Sequence, residues 1–154
     1  MATQSIHPLV VYVDGSSRGN PGPAGIGVAV FASDDTSKPI EEISRYIGIT
    51  TNNVAEYEAI IHALRWLIKA KKKSCTIKLD SELAYKQITG QYRVRKPHIG
   101  HQIKRVRRLQ EQLEKISFVL VPRTDNKAAD RLAQQASKKV KVIRKSFKQT
   151  RLLK

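Results

Sequence analysis

From Leu9 to Val13 the chain reads LVVYV, a continuous apolar and β-branched run suited to a strand buried on both faces, and the run ends on Asp14. The next segment, GSSRGNPGPAG from Gly15 to Gly25, has the glycine, proline, serine and asparagine density of a turn, and the apolar pattern resumes over Ile26 to Phe31. Glu42 to Ile49 is expected as a third strand, with Ile43, Arg45 and Ile47 alternating imperfectly with polar neighbours. Three strands in series suggest an antiparallel meander. The cluster Thr50-Thr51-Asn52-Asn53 halts it and supplies N-cap chemistry for a helix to about Lys71, whose apolar stripe is Ile60, Ala63, Leu64, Leu67 and Ile68.

Thr76 to Leu79 then make a short strand, Ser81 opens a second helix to about Thr89, and Gly90 to Pro97 form a basic connection. A third helix is expected from His98 to Lys115, with Ile99, Ile103, Val106, Leu109 and Leu113 at spacings of three and four and a cationic opposite face. Ser117 to Val121 read as a fifth strand and Pro122 to Asp125 as a loop. Asn126 to about Lys139 read as a fourth helix with Ala129, Leu132, Ala133 and Ala136 on one side. The order βββαβααβα implies an α/β fold: a mixed five-stranded sheet, its first three strands antiparallel, flanked by helices.

Charge narrows the choice of partner. With 29 Lys+Arg against 13 Asp+Glu, the 154 residues carry a net charge of +16, a field that gathers polyanions and points to nucleic acid. The single cysteine, Cys75, excludes an internal disulfide and a cysteine-based zinc cage, and is expected to be a buried spectator. His7, His62, His98 and His101 show no metal-ligand spacing. The segment MATQSIHP has neither a basic nor an apolar targeting region, and no apolar run approaches the ~20 residues needed to span a bilayer. A cytoplasmic, monomeric protein without membrane association is therefore expected. Residues 1–137 would form one domain and 138–154 a basic tail without acids, adding a strand at the sheet edge or serving as an arm.

Four acids stand where ordinary patterning does not want them. Asp14 closes a strand that otherwise reads as buried, where a carboxylate must be paired, protonated or metal-bound. Glu56 has the spacing of a capping box with Asn53, yet it falls on the core side of its helix, whereas Glu58 falls in line with His62, Arg65 and Lys69 on the solvent side. Asp80 ends a strand and, like Ser81, is a candidate helix cap; Asp130 lies near the start of the fourth helix, where it would also complement the dipole. Each has an ordinary reading when taken singly. Together, strand ends and helix starts can bring all four to one point, where they would repel unless neutralised by hard divalent cations, Mg²⁺ or Mn²⁺.

The blocks VVYVDGSSRGNPGPAGIG, TNNVAEYEAI, IKLDSELA and VPRTDNKAADRLA, in this order, resemble the motifs of the ribonuclease HI family, most closely its compact archaeal and bacterial branch, over roughly Leu9 to Ala136. The resemblance implies a ribonuclease-H-like fold and two-metal-ion hydrolysis of the RNA strand of an RNA·DNA hybrid, leaving 5′-phosphate and 3′-hydroxyl ends. It makes Asp14, Glu56, Asp80 and Asp130 the metal ligands and Arg123 a phosphate-binding catalytic residue. It makes Ser16, Gly19, Asn20, Asn52 and Asn53 readers of the minor groove and Thr51 a contact to DNA phosphate, as suits the wide, shallow groove of an A-like hybrid. Double-stranded RNA is a second candidate substrate, and a non-catalytic hybrid- or duplex-RNA-binding module is the alternative function. Two positions depart from the family pattern: Glu82 stands where many relatives have Gln, and the Val121–Asp125 loop has no histidine.

Overall fold

The computed structural model describes residues 8–152 apart from 33, 34 and 36, with side chains described as far as Lys139. The apolar run forms β1 (Leu9–Ser17), which continues past Asp14 and pairs antiparallel with β2 (Gly22–Ala32), from Leu9↔Ala32 to Ser17↔Ala24. The expected turn is thus confined to Arg18–Pro21, and Gly22 to Gly25 are extended: Gly22 packs against the Arg18 carbonyl of the turn, whereas Gly25 lies close beneath the fourth helix, near Ala133, Ala136 and Ser137. β3 (Glu41–Thr50) pairs antiparallel with β2, and the register slips at Ala24/Gly25 opposite Gly48, whose φ of 91° suits glycine. β4 (Ser74–Leu79) runs parallel to β1 and β5 (Lys115–Leu120) parallel to β4, giving the order β3-β2-β1-β4-β5. The mixed five-stranded sheet is as expected.

Helix α1 (Asn52–Lys69) crosses one face, burying Tyr57, Ile60, Ile61, Leu64 and Leu67 against Val11, Val13, Ile26, Val28 and Val30. Helices α2 (Glu82–Ile88) and α3 (Pro97–Gln110) link β4 to β5, and α3 adds Ile99 and Val106 to this core. Cys75 is buried here, and burial pushes its thiol up to about 12, consistent with a spectator. The third helix stops five residues short of the expected Lys115, because the Glu114 and Lys115 amides donate to the Lys73 carbonyl and Lys115 enters β5; Leu113 packs on the core from the turn.

Helix α4 (Lys127–Leu152) covers the other face, with Leu132 against Ala29 and Phe31. Its backbone continues into the basic tail as far as Leu152, so the described part of the tail is helical instead of forming a further strand. The side chains of Val140, Val142 and Phe147 and the N-terminal segment with His7 lie outside the described residues. Among the described residues no helix is long and apolar enough to cross a membrane.

Two glycines flank Asp14 structurally, one on each face of the sheet. A Cβ on Gly15 would lie 2.3 Å from the Ala55 carbonyl carbon and 2.4 Å from the Glu56 amide nitrogen. A Cβ on Gly27, the cross-strand partner of Asp14, would lie 2.1 Å from the Ala129 carbonyl oxygen. The obstructing atoms are backbone, so neither helix can yield by a rotamer change. Gly15→Ala should therefore destabilise the fold by roughly 1–3 kcal/mol, the usual cost of overpacking, measurable in urea melts; an unchanged midpoint would show that α1 has slack against β1.

Candidate active site

Asp14 lies on β1 just beyond the last β1–β4 pair, Tyr12↔Lys78, on the face that α4 covers. It is 8% exposed, and its Oδ1 accepts from the Gly15 amide at 3.0 Å. Glu56 enters from α1. The helix is capped by Thr51, whose Oγ1 accepts from the Val54 amide at 3.2 Å, so the capping-box spacing of Asn53 and Glu56 is not used and Glu56 is not spent as a cap. Asp80 follows β4 and is likewise uncommitted to capping, since Ser81 Oγ accepts from the Ala84 amide at 3.1 Å and caps α2.

One oxygen from each of Asp14, Glu56 and Asp80 lies within 4.8 Å of the others. Asp130, in the first turn of α4, stands outside this tight group but close enough to share a proton with Asp14. The four acids of the sequence reading therefore do converge, three as a cluster and one as its flank.

The electrostatic consequence is large. Burial, followed by the charge of Asp80, the carboxyl contact with Asp130 and the charges of Asp130 and Glu56, pushes Asp14 up to about 9. Burial also pushes Glu56 up to about 7, with a hydrogen bond to Ser81 and the Arg123 charge opposing and the Asp80 charge adding to the rise. Arg123 is 77% exposed and stands 4.0 Å from Asp130, too loosely placed to neutralise the group. A set made wholly of carboxylate oxygens that resist shared ionisation fits hard divalent cations such as Mg²⁺ or Mn²⁺. Asp14, Glu56 and Asp80, with Asp130 beside them, are the residues that would hold them.

Around the acids the other candidate residues fall into two groups. Arg123, on a single 3-10 turn (Arg123–Asp125), approaches Asp130 and not the neighbouring Asp125, and bounds an open groove of about 430 Å³ that reaches from Asp80 past Glu82. Glu82 itself is paired with Lys86 at 2.9 Å. On the opposite side Asn52 Oδ1 accepts from both the amide and the hydroxyl of Ser17 at 2.9 Å, and the Asn52 amide nitrogen donates to Asn20 Oδ1 at 3.0 Å. These contacts tie the β1–β2 loop, with Gly19 at φ 101°, to the start of α1. Ser17 holds this junction, a role the sequence reading did not give it, whereas Ser16 lies in the β1–β2 ladder opposite Gly25. The Asn53 Oδ1 is buried without a partner, and Asn53 lines a cavity of about 230 Å³ with Gln87, Arg93, Arg95 and Lys96.

Two further findings depart from expectation. Glu58 does not face solvent: its side chain is 18% exposed, pairs with Arg105 and accepts from Gln102 at 2.8 Å, because α3 docks along that side of α1. Glu58 is held ionised by these partners, its carboxyl below the usual range despite opposing burial. Asn126, read from sequence only as a helix start, is fully buried and bonded to Asp80. Its signal was the motif N-x-x-A-D around Asp130, in which the amide had no evident partner.

Because Asp14 and Glu56 are both raised, each contributes stability that is fully present below its unfolded value, 3.8 or 4.5, and is lost as pH rises through about 9 or about 7. In chelator the melting temperature should fall from about pH 5 to about pH 9, and Asp14→Asn should flatten the upper part of that fall. Parallel curves for the two proteins would mean that Asp14 is ionised in the metal-free fold.

Residues 12–136 match the family model described as reverse transcriptase-like. The chain is 38% identical over 128 residues to a bifunctional protein of Mycobacterium tuberculosis, covering 83% of this chain and 35% of that protein. It is 38% identical over 125 residues to a ribonuclease HI of Halobacterium salinarum, covering 81% and 62% respectively. The chain thus spans about a third of the mycobacterial relative's length. Among solved structures it resembles a ribonuclease H1 isolated from compost by a metagenomic approach, in complex with an RNA/DNA hybrid, with a TM-score of 0.79, 38% identity and coverage of 86% of this chain and 98% of that one. A model match across most of the chain, this likeness along nearly the whole compost enzyme, and the convergence of the four acids leave one assignment: the chain belongs to the ribonuclease HI family.

Proposed function

We propose that the protein is an endonuclease that hydrolyses the RNA strand of RNA·DNA hybrids by a two-metal-ion mechanism, leaving 5′-phosphate and 3′-hydroxyl ends. The observation that carries this reading is the group of three carboxylates within 4.8 Å, flanked by Asp130, at the end of the sheet. The hybrid bound to the structurally similar compost enzyme supports the choice of substrate. Divalent cations, Mg²⁺ or Mn²⁺, would supply Lewis acidity at the reacting phosphate and cancel the repulsion among the acids.

The chain's own residues hold and orient. Asp14 on β1, Glu56 on α1, Asp80 just past the end of β4 and Asp130 on α4 would present oxygen ligands from positions fixed by the core. Arg123, exposed at the rim, offers a planar fork of donors to a phosphate in the adjacent groove. Asn20 and Asn52 commit their carbonyl oxygens to the loop junction, so their NH₂ groups are available as donors to 2′-hydroxyls and base edges. Thr51 Oγ1 accepts from the Val54 amide as the helix cap, which leaves its O–H to donate to a DNA phosphate, and the cavity beside Asn53 with Arg93, Arg95 and Lys96 would add cationic surface for the same strand. Retention of all four acids disfavours a purely binding role.

Asp80→Asn is nearly isosteric and can still accept from Asn126, so it should leave the melting temperature within a few degrees while lowering turnover at least about a thousandfold, some 4 kcal/mol of barrier. Labelled hybrid, RNA duplex, DNA duplex and single-stranded RNA assayed together with and without Mg²⁺ test the reaction itself. Cation-independent cleavage, or no cleavage of the hybrid, would refute the assignment.

The helical tail would add sequence-independent attraction to phosphates. If about three of Lys141, Arg144, Lys145, Lys148, Arg151 and Lys154 meet phosphates, deleting residues 140–154 should flatten the slope of log affinity against log salt by roughly three units, at ~0.9 per contact. An unchanged slope would remove the tail from the interface.

A further inference from the structure

Asn126 is 0% exposed and sits between the Arg123–Asp125 turn and α4. Its Nδ2 donates to the Val13 carbonyl at 2.9 Å and to Asp80 Oδ2 at 2.8 Å. Its own carbonyl accepts from the Asp130 amide at 3.0 Å. One residue therefore touches Asp80 directly, the peptide that precedes Asp14, and the helical turn that carries Asp130. The Val13 contact lies just past Tyr12↔Lys78, where the β1–β4 ladder has ended, so the side chain continues the sheet's hydrogen bonding where the strands diverge.

The remaining atom, Asn126 Oδ1, is buried without a partner. Turning the amide over would set that oxygen against a carbonyl and a carboxylate, losing two hydrogen bonds and creating two repulsive contacts, so the orientation is fixed by chemistry. An unpaired buried acceptor is costly, and the arrangement keeps it in exchange for two donors on one uncharged group. Aspartate, of the same size, would bring a further negative charge and at neutral pH no donor.

We propose that Asn126 is a positioning residue for the acidic cluster. It holds Asp80 against the repulsion of Asp14 and Glu56, commits Oδ2 to the amide and leaves the other oxygen for the cation. This inference rests on the metal-site reading above. The bond to Asp80 would persist with a cation bound, because the other Asp80 oxygen would remain free to ligate it; groups behind a ligand of this kind set its direction and raise its effectiveness.

The test uses the full chain. Asn126→Ala should weaken Mn²⁺ binding to hybrid-free protein, measured by calorimetry, by about 10–100-fold, and should raise the Mg²⁺ concentration for half-maximal cleavage by a similar factor. Hybrid affinity in chelator should stay within about twofold of wild type, since cation positioning is not in play there. A lower melting temperature with unchanged Mn²⁺ affinity and unchanged Mg²⁺ midpoint would overturn the proposal and leave Asn126 a purely structural residue.

A second measurement needs no variant. In the labelled wild-type protein the Asn126 Nδ2 protons should exchange slowly and retain their hydrogen-bond coupling to the Asp80 carboxyl carbon as Mg²⁺ is added. Loss of that coupling on Mg²⁺ binding would overturn the proposal even if Asn126→Ala fails to fold. A wild-type protein that binds no Mn²⁺ would instead remove the metal-site reading itself, an outcome separable from normal binding by the variant.

Discussion

Where β1 runs on beyond β4, two helices close on the strand from opposite faces, and the Asp14 carboxylate between them has little water and three acidic neighbours. Burying that charge is unfavourable, and each neighbouring acid makes ionisation harder. The rest of the site follows from this constraint. Asp14 and Glu56 are driven toward their protonated forms in the metal-free protein, and a divalent cation replaces the missing solvent and reverses the preference. The fold supplies the cost of assembling the acids through its core, with Tyr57, Ile60 and Leu64 of α1 packed on Val11, Val13 and Val28 a few residues away.

Close approach of backbone to backbone makes this assembly possible. Gly15 admits the start of α1 and Gly27 admits the start of α4, so Glu56 and Asp130 reach the same strand residue from the two sides of the sheet. Asp80 arrives from the neighbouring parallel strand, and Asn126 fills the gap that opens between the two strands. The acids thus sit on, or directly at the end of, regular elements fixed by the core, while Arg123 and the Asn20 loop stand at the rim, where side chains can adapt to a ligand.

The charge distribution complements that site. A chain of net charge +16 concentrates four of its 13 acids at one point and sets cations around them, with Arg123 on one side and Arg93, Arg95 and Lys96 on the other. Long-range attraction would bring a polyanion to the surface, and the local acids would repel it until cations enter. In the proposed reaction, cation and nucleic acid therefore favour each other's binding at the same place. Glu58, two residues from Glu56, has the opposite fate: ionised against Arg105 and Gln102, it fastens α3 to α1 and takes no part in the cluster.

The sequence alone determined the element order, the mixed sheet and the four acids, because apolar periodicity and the placement of charge against it are local properties of the chain. Read locally, Asp14 ended a strand, the cap of the long helix lay anywhere in Thr50-Thr51-Asn52-Asn53 and Glu58 faced water. Tertiary structure changed each reading: β2 extends β1 to Ser17, Thr51 takes the cap, and α3 covers Glu58. It also decided that three acids cluster tightly with Asp130 at their flank, that Gly15 and Gly25 serve helix packing while Gly22 serves the turn, and that α4 continues into the basic tail as far as Leu152. Asn126 shows the reason most plainly. Its partners Val13 and Asp80 are 113 and 46 residues away in the chain, and only the crossing of β1, β4 and the start of α4 brings its two donors to them.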